Sequence, residues 1–221
     1  MKKYLLVLFL ILFCCGNVFA LDKFPTGFYR PLENFTYSTA GTWLGPGLGH
    51  AGPHGHIGVD MLAPEGTSVY AVADGYIFRD PSPNGWGSGN VAVLVKHKLL
   101  NGGEFIVLYG HVTKSSALQK GAKVYAGKTI IGKLGPYSTG SHLHLGVVPP
   151  NTNYGPTYGY TTNANHNGFV DPIHFLNIHY PKNTYTNPQT ETETNTTAYA
   201  NSGQLAWIPL GVKYMQKLAY S

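Results

Sequence analysis

The sequence predicts an all-β protein: an antiparallel sandwich or partly open barrel with long loops around a cleft and at most one short helix. Three observations carry this. Between residues 56 and 148 short apolar segments alternate with turn signals. No segment holds a 3.6-residue apolar period over three turns. The composition is rich in Gly, Tyr, Asn and Thr, and only 11% of the residues are charged. A chain of 221 residues suffices for one domain with a substantial core.

Residues 1–20, "MKKYLLVLFLILFCCGNVFA", order a basic start, an apolar run and a small-residue end. That is the pattern of a secretory signal peptide, with cleavage expected after Ala20. The apolar run is short for a membrane span, so no stable span is expected after cleavage. Residues 21–48 carry Pro, Gly and aromatics without a helical period and read as an extended lead-in. The main domain is expected over residues 49–180. Within it, "TSVYAVADGYIF" alternates and then presents Asp74-Gly75, a hairpin-turn signal. "NVAVLVKHKLLNGGEFIVLYGH" reads as two strands around Asn101-Gly102-Gly103. "GAKVYAGKTIIGKLG" adds strand punctuated by glycine, and "SHLHLGVV" closes the series. The polar run from Pro149 to Gly168 reads as a long loop, and its Tyr154, Tyr158 and Tyr160 are candidates for a sugar- or peptide-binding wall. "DPIHFLN" suits a short helix with Asp171 as N-cap and Pro172 in the first position. Residues 181–203 are low-complexity and read as a flexible linker, and residues 204–221 are apolar again.

The formal net charge is +5, which favours polyanions such as an anionic cell-wall polymer. The basic residues are scattered rather than clustered, which argues against nucleic acid. Both cysteines, Cys14 and Cys15, lie in the leader, so the mature chain has neither disulfides nor thiolate chemistry. Any metal site must use His, Asp, Glu or Asn.

Ten histidines are present, and their placement is uneven. "GHAGPHGHIGVD" carries His50, His54 and His56, with Asp60 four residues after His56. The glycines and Pro53 argue against a helix there. A straight strand would set the Cα atoms of His56 and Asp60 roughly 13 Å apart. The chain must bend between them for both to serve one metal, and Gly58 is the expected hinge. In "STGSHLHLGV", His142 and His144 stand two apart on an apolar strand and face the same way. The combination points to zinc held by His56, Asp60 and one of His142 or His144, with an open fourth position. His97 reads as a hydrogen-bonded strand histidine. His166, His174 and His179 read as surface or capping residues.

In order, "HIGVD", "APEGTSVYAVADGYI", "LYGH", "GKTIIGKLG" and "STGSHLHLGV" resemble the motifs of the lysostaphin/LytM family of zinc metalloendopeptidases. The resemblance covers about residues 45–178, with "FVDPIHFLN" similar to the closing segment. It implies Zn2+ as cofactor, with His56, Asp60 and His144 as ligands. It implies His111 and His142 as the non-ligand histidines of the active site. It further implies an exported endopeptidase, periplasmic or extracellular, that hydrolyses peptide cross-links or bridges of bacterial peptidoglycan through a zinc-bound water. Where the family often shows Phe and then an acid after the His-x-His pair, this chain has Leu145 and Gly146. A monomer is expected. The alternative is a non-catalytic cell-wall-binding or hydrolase-activating module on the same fold, which the presence of all five residues disfavours. A lipoyl- or biotinyl-type carrier would need a displayed lysine in its own context, and none is evident.

Overall fold

The computed structural model describes residues 21–47, 55–83, 85–113, 115–155 and 164–183. The leader, His50 and His54, Tyr158 and Tyr160, the linker from residue 184 onward and the apolar C-terminal segment lie outside them. Among the described residues the chain forms nine strands: β1 (Thr36–Tyr37), β2 (Val59–Leu62), β3 (Ser68–Tyr70), β4 (Gly75–Ser82), β5 (Asn90–Lys98), β6 (Glu104–Thr113), β7 (Lys123–Val124), β8 (Ile130–Lys133) and β9 (His142–Val148). A helix, α1 (Pro172–Ile178), follows a 3-10 turn at His166–Gly168. Seven strands make one sheet in the order β1-β2-β9-β6-β5-β4-β7, and β3 pairs with β8 in a second, two-stranded sheet. All pairings are antiparallel, and the all-β expectation holds, as an open arrangement rather than a closed barrel.

The centre of the large sheet is its most apolar part. All seven residues of β9 are buried, because both of its faces are covered. One face packs Leu143, Leu145 and Val147 with Tyr109, Val107, Met61 and Val95 into the main core, which also takes in Val69 and Ile131 from the small sheet and Phe175 and Leu176 from α1. The other face carries a smaller cluster, with Leu94, Ile106, Leu108 and Val148 beneath Ile57, Trp86 and Phe169. The sheet therefore buries apolar residues on both sides, and the histidines of β9 lie on the side of the smaller cluster.

The hairpin expected at Asp74-Gly75 does not form. β3 pairs with β8, whereas β4 pairs with β5 and β7, so the chain passes from one sheet to the other at this point. The intervening Ala71, Val72 and Ala73 are fully buried. Their backbone groups are satisfied by tertiary partners instead of a turn: the Val72 N–H donates to the Tyr109 hydroxyl (3.0 Å), and the Ala71 carbonyl accepts from Gly127 (2.8 Å). The Asp74 carboxylate accepts from the Ala126 N–H (2.8 Å). The hairpin around Asn101-Gly102-Gly103 does form, joining β5 to β6 in register from Lys98↔Glu104 onward.

Residues 21–47 are part of the folded unit. Phe24, Phe28 and Leu32 are buried in the main core, and β1 extends the large sheet at the edge of β2. At the other end, Lys182 donates its N–H to the Lys98 carbonyl (2.8 Å), and Pro181 bridges to Leu99.

Helix α1 starts where the sequence predicts. The Asp171 carboxylate accepts from the N–H groups of Ile173 (2.9 Å) and His174 (3.2 Å), with Pro172 at the first position. Asp171→Ala is expected to cost about 1 kcal/mol, the usual worth of such a cap, read as a lower urea midpoint at unchanged m-value.

His97, on β5, is fully buried in the main-core face, stacked on Phe105 with its Nδ1–H on the Asp74 carbonyl (3.1 Å). Burial disfavours its charged form and lowers its pKa to about 4. An unfolded imidazole binds a proton below ~6.5 while the folded one does not, so stability falls as pH drops from ~6.5 toward 4, by up to roughly 3 kcal/mol. The expected measurement is a steeper fall of the urea midpoint between pH 7 and pH 5 in the parent protein than in His97→Leu.

Candidate metal centre

Three elements bring the site together. His56 ends the approach to β2, Asp60 lies in β2, and His144 lies in β9 directly opposite Asp60 in the β2–β9 register. His142 pairs with Leu62 in the same register, so it shares the face of Asp60 and His144. Gly110 of β6 stands opposite His144 on the other side. The period of two thus places His142 and His144 together, as their spacing predicts.

Ligand-capable atoms of His56, Asp60 and His144 all lie within 4.8 Å of one another, and all three residues are buried. His56 Nε2 is 2.8 Å from His144 Nδ1, and Asp60 Oδ1 is 3.2 Å from His56 Nε2 and 3.3 Å from His144 Nδ1. His142 Nε2 is 3.9 Å from the same carboxylate oxygen. Burial by itself raises the Asp60 carboxyl, but the flanking His144 and His56 outweigh it and hold the group well below the usual carboxylate range. Burial pushes His144 down to about 4, so this ring is neutral at neutral pH.

The tautomers follow from the backbone. A carbonyl only accepts, so a ring nitrogen against it carries the proton. His56 Nδ1 faces the Thr42 carbonyl (3.2 Å), which leaves its Nε2 as a lone pair aimed at the cluster. Asp60 Oδ1 is buried and accepts no aligned hydrogen bond. An ionised, buried oxygen that lies beside an imidazole lone pair and lacks an aligned hydrogen bond is costly unless a cation completes it. The donor set of two imidazoles and one carboxylate therefore fits a divalent metal ion.

Beside the cluster lie two more histidines. His111 sits on β6 with a left-handed backbone (φ 60°), unusual for a non-glycine residue. Its Nδ1–H donates to the Trp86 carbonyl (2.9 Å), and burial, with His142 and His144 nearby, lowers its pKa to about 3. His142 Nδ1–H donates to the Gly140 carbonyl (2.8 Å). Each ring thus directs Nε2 away from the backbone carbonyl that holds its Nδ1–H, and the two ring centroids are 4.4 Å apart. The strained backbone at His111 coincides with a bulge in the β5–β6 ladder, where pairing passes from Val93↔Tyr109 to Val91↔Val112 with Gly110 and His111 between them.

Several residues around these five carry no motif of their own. Tyr137 packs on His111 (centroids 4.2 Å apart) and edge-on to His142 (5.0 Å). Trp86 packs against both His111 and His144. Gly110 is required beneath it, since a β-carbon there would overlap the indole. The lead-in segment closes the opposite side: Gly41 accepts from the Asp60 N–H (2.7 Å), Leu44 donates to the His56 carbonyl (2.8 Å), and a β-carbon on Gly41 would overlap the Asp60 carboxylate. The signal available for these contacts was the three glycines around Trp43 in "STAGTWLGPG", read only as extended chain. Gly146, the departure from the family pattern, makes room for Phe169, whose ring would lie 2.9 Å from an added β-carbon.

A buried metal-fitted triad and two further histidines on an antiparallel sheet define a metallohydrolase-type site. Residues 54–156 match the family model described as Peptidase family M23. That match covers somewhat under half of the chain and falls on the same segment whose motifs resemble the lysostaphin/LytM family. The chain is 40% identical over 91 residues to the DD-carboxypeptidase/endopeptidase Mpg of Neisseria meningitidis serogroup B, and 40% identical over the same length to that of Neisseria gonorrhoeae. These matches cover 40% of this chain and 19% of each relative, so the chain spans about a fifth of the curated proteins it matches. Among solved structures, lysostaphin from Staphylococcus simulans is similar at 23% identity over 68% of this chain and 54% of that one, with a TM-score of 0.47.

A β-carbon on Gly58 would meet His144 Cε1 and Nε2 at 2.5 Å, so Gly58 serves close approach of the ring as well as the bend. Gly58→Ala is expected to displace His144 and weaken divalent-metal affinity by at least tenfold while leaving far-UV circular dichroism unchanged. Metal-ion titration followed by isothermal calorimetry checks this.

Proposed function

We propose that this chain is an exported, zinc-dependent endopeptidase that cleaves peptide cross-links or bridges of bacterial peptidoglycan. The observation that carries the reading is the convergence of His56, Asp60 and His144 beside His111 and His142, within a segment that matches a peptidase family. His56 Nε2, Asp60 Oδ1 and His144 Nδ1 are the atoms that would hold the metal. Two imidazoles and a carboxylate with an open position suit zinc among the biological divalent ions. The chemistry a bound zinc supplies is Lewis acidity toward a peptide carbonyl and toward water near neutral pH.

The remaining steps belong to the protein. The Asp60 carboxylate balances positive charge in a buried site. Thr42, through its carbonyl, orients His56 and holds its tautomer. His142 and His111 each hold Nδ1 on a backbone carbonyl and leave Nε2 to take a proton from the nucleophile and return it to the departing amine. In the protonated state either ring also donates to an oxygen that gains negative charge. Trp86 and Tyr137 wall this part of the cleft and limit water around the two rings. The Neisseria relatives bear the name DD-carboxypeptidase/endopeptidase, which favours a cell-wall peptide as the substrate class.

Export rests on the leader-like residues 1–20. Among the described residues no helix is long and apolar enough to cross a membrane. A monomer is the oligomeric state we propose.

The decisive comparison separates the two histidines of β9. His144→Ala is expected to lose bound zinc, because no thiolate is available to replace the ligand. His142→Ala is expected to keep about one zinc per chain while turnover falls by about two to four orders of magnitude, the scale of a lost acid–base group. Elemental analysis beside cleavage of purified peptidoglycan reads both. Zinc loss from His142→Ala with retention in His144→Ala would reverse the assignment, and full cleavage by both variants would place the chemistry elsewhere.

A further inference from the structure

A second concavity lies on the same side of the large sheet as the metal-fitted cluster. It encloses about 660 Å³ and is lined by Phe78, Lys96, Glu104, Ile106, Val148 and Tyr154, with the loop residues Asn151 to Asn153 at its rim. Its place follows from the alternation of β9: His142, His144, Gly146 and Val148 share one face. Val148 is four residues beyond His144, so the cavity begins roughly 13 Å along the strand from the metal ligands. Phe169 sits over Gly146 between the two.

The cavity is built rather than incidental. Tyr154 is held from outside: the Arg79 guanidinium donates to its hydroxyl (2.5 Å) and lies over its ring, 5.4 Å from the centroid. The loop that carries Tyr154 is pinned to the 3-10 turn, with the Gly155 N–H donating to the Asn167 carbonyl (2.9 Å). Opposite, the Lys96 ammonium lies 4.6 Å from the Phe78 ring centroid and pairs with Glu104 at 3.2 Å. Walls so fixed lose little entropy when a ligand enters.

The lining specifies a ligand type. Glu104 is matched by Lys96 and Lys98, and Arg79 is engaged by the Tyr154 hydroxyl, so each charge at the cavity already has a partner within the protein. Two aromatic side chains offer apolar faces, while the asparagine amides, the threonine hydroxyl and the ion pair offer donors and acceptors around them. That combination suits an uncharged ring that has apolar faces and is edged with hydroxyl and amide groups.

We propose that this cavity binds an N-acetylated amino sugar of the glycan strand to which the cleaved peptide is attached, a reading that rests on the proposed peptidoglycan activity. Spacing agrees. Three or four extended residues of a peptide stem span roughly 10–14 Å, which matches the distance along β9 from the metal-fitted cluster to the cavity. A stem held by its sugar at one end would deliver a peptide bond to the cluster at the other.

The test uses the full chain with two substrates: a cross-linked disaccharide–peptide dimer and the same dimer with its sugars removed by an amidase. The parent protein is expected to favour the sugar-bearing dimer in kcat/KM by about tenfold, mainly through KM, the size of a modest binding contribution. In Phe78→Ala and Tyr154→Ala that ratio is expected to fall to near one. Asn153→Ala, on the exposed rim, is expected to lower it in part and guards against misfolding of the aromatic variants. In parallel, N,N′,N″-triacetylchitotriose titrated against the metal-free chain is expected to shift amide resonances of residues 78, 96, 104 and 151–154. Equal kcat/KM on both dimers, or no shift at those residues, overturns the sugar site while leaving the endopeptidase reading intact. Failure to cut either dimer overturns the endopeptidase reading, and binding of the triacetylchitotriose then still decides the cavity.

Discussion

The pairing of β2 with β9 is the constraint on which the site depends. Its register sets Asp60 opposite His144 and Leu62 opposite His142. A one-residue slip would turn every side chain of one strand to the other face. The register is held because the alternate residues, Met61, Leu143 and Leu145, fill the main core with no exposed surface. Burial of apolar side chains on one face thus positions a carboxylate and two imidazoles on the other. A buried, ionised Asp60 destabilises the fold unless it is compensated, so the core supports a polar cluster that would not assemble by itself.

Around that pairing, the site is shaped by close approach. Gly58 lets the His144 ring lie against the bend before β2, Gly41 lets the lead-in segment cross over Asp60, and Gly110 admits the Trp86 indole. None of these three glycines has a positive φ, so their value is the missing side chain rather than backbone freedom. The left-handed residue that matters is His111, whose conformation carries a strain cost and coincides with its contact to His142. Hydrogen bonds from three ring nitrogens to backbone carbonyls of Thr42, Trp86 and Gly140 then set the tautomers, so loops outside the motifs control the protonation pattern within them.

Much of the site was legible because strand periodicity is local. His142 and His144 face one way for the same reason that Leu143 and Leu145 face the other. The bend at Gly58 followed from the extended distance between His56 and Asp60. The hairpin at Asn101-Gly102-Gly103 and the cap at Asp171 were legible because each is closed by hydrogen bonds within a few residues. The failure at Asp74-Gly75 has the opposite cause. A turn dipeptide after an alternating run satisfies the local rule, yet the groups on Ala71, Val72 and Asp74 are claimed by Gly127, Tyr109 and Ala126, from distant parts of the chain.

The sequence by itself determined the β class, the face shared by the two histidines of β9, the need for a bend between His56 and Asp60, and the absence of cysteine ligands in the expected mature chain. Those properties follow from backbone geometry and residue chemistry, which act over a few residues. Only the tertiary structure decided that β3 joins β8, that the lead-in segment crosses Asp60, that Trp86 and Tyr137 wall the histidine pair, and that Tyr154 faces a cavity rather than the metal-fitted cluster. Each of these is a contact between segments far apart in the chain, and no period or spacing encodes it: the partner is chosen by which buried surfaces and unpaired backbone groups remain once the central sheet has formed.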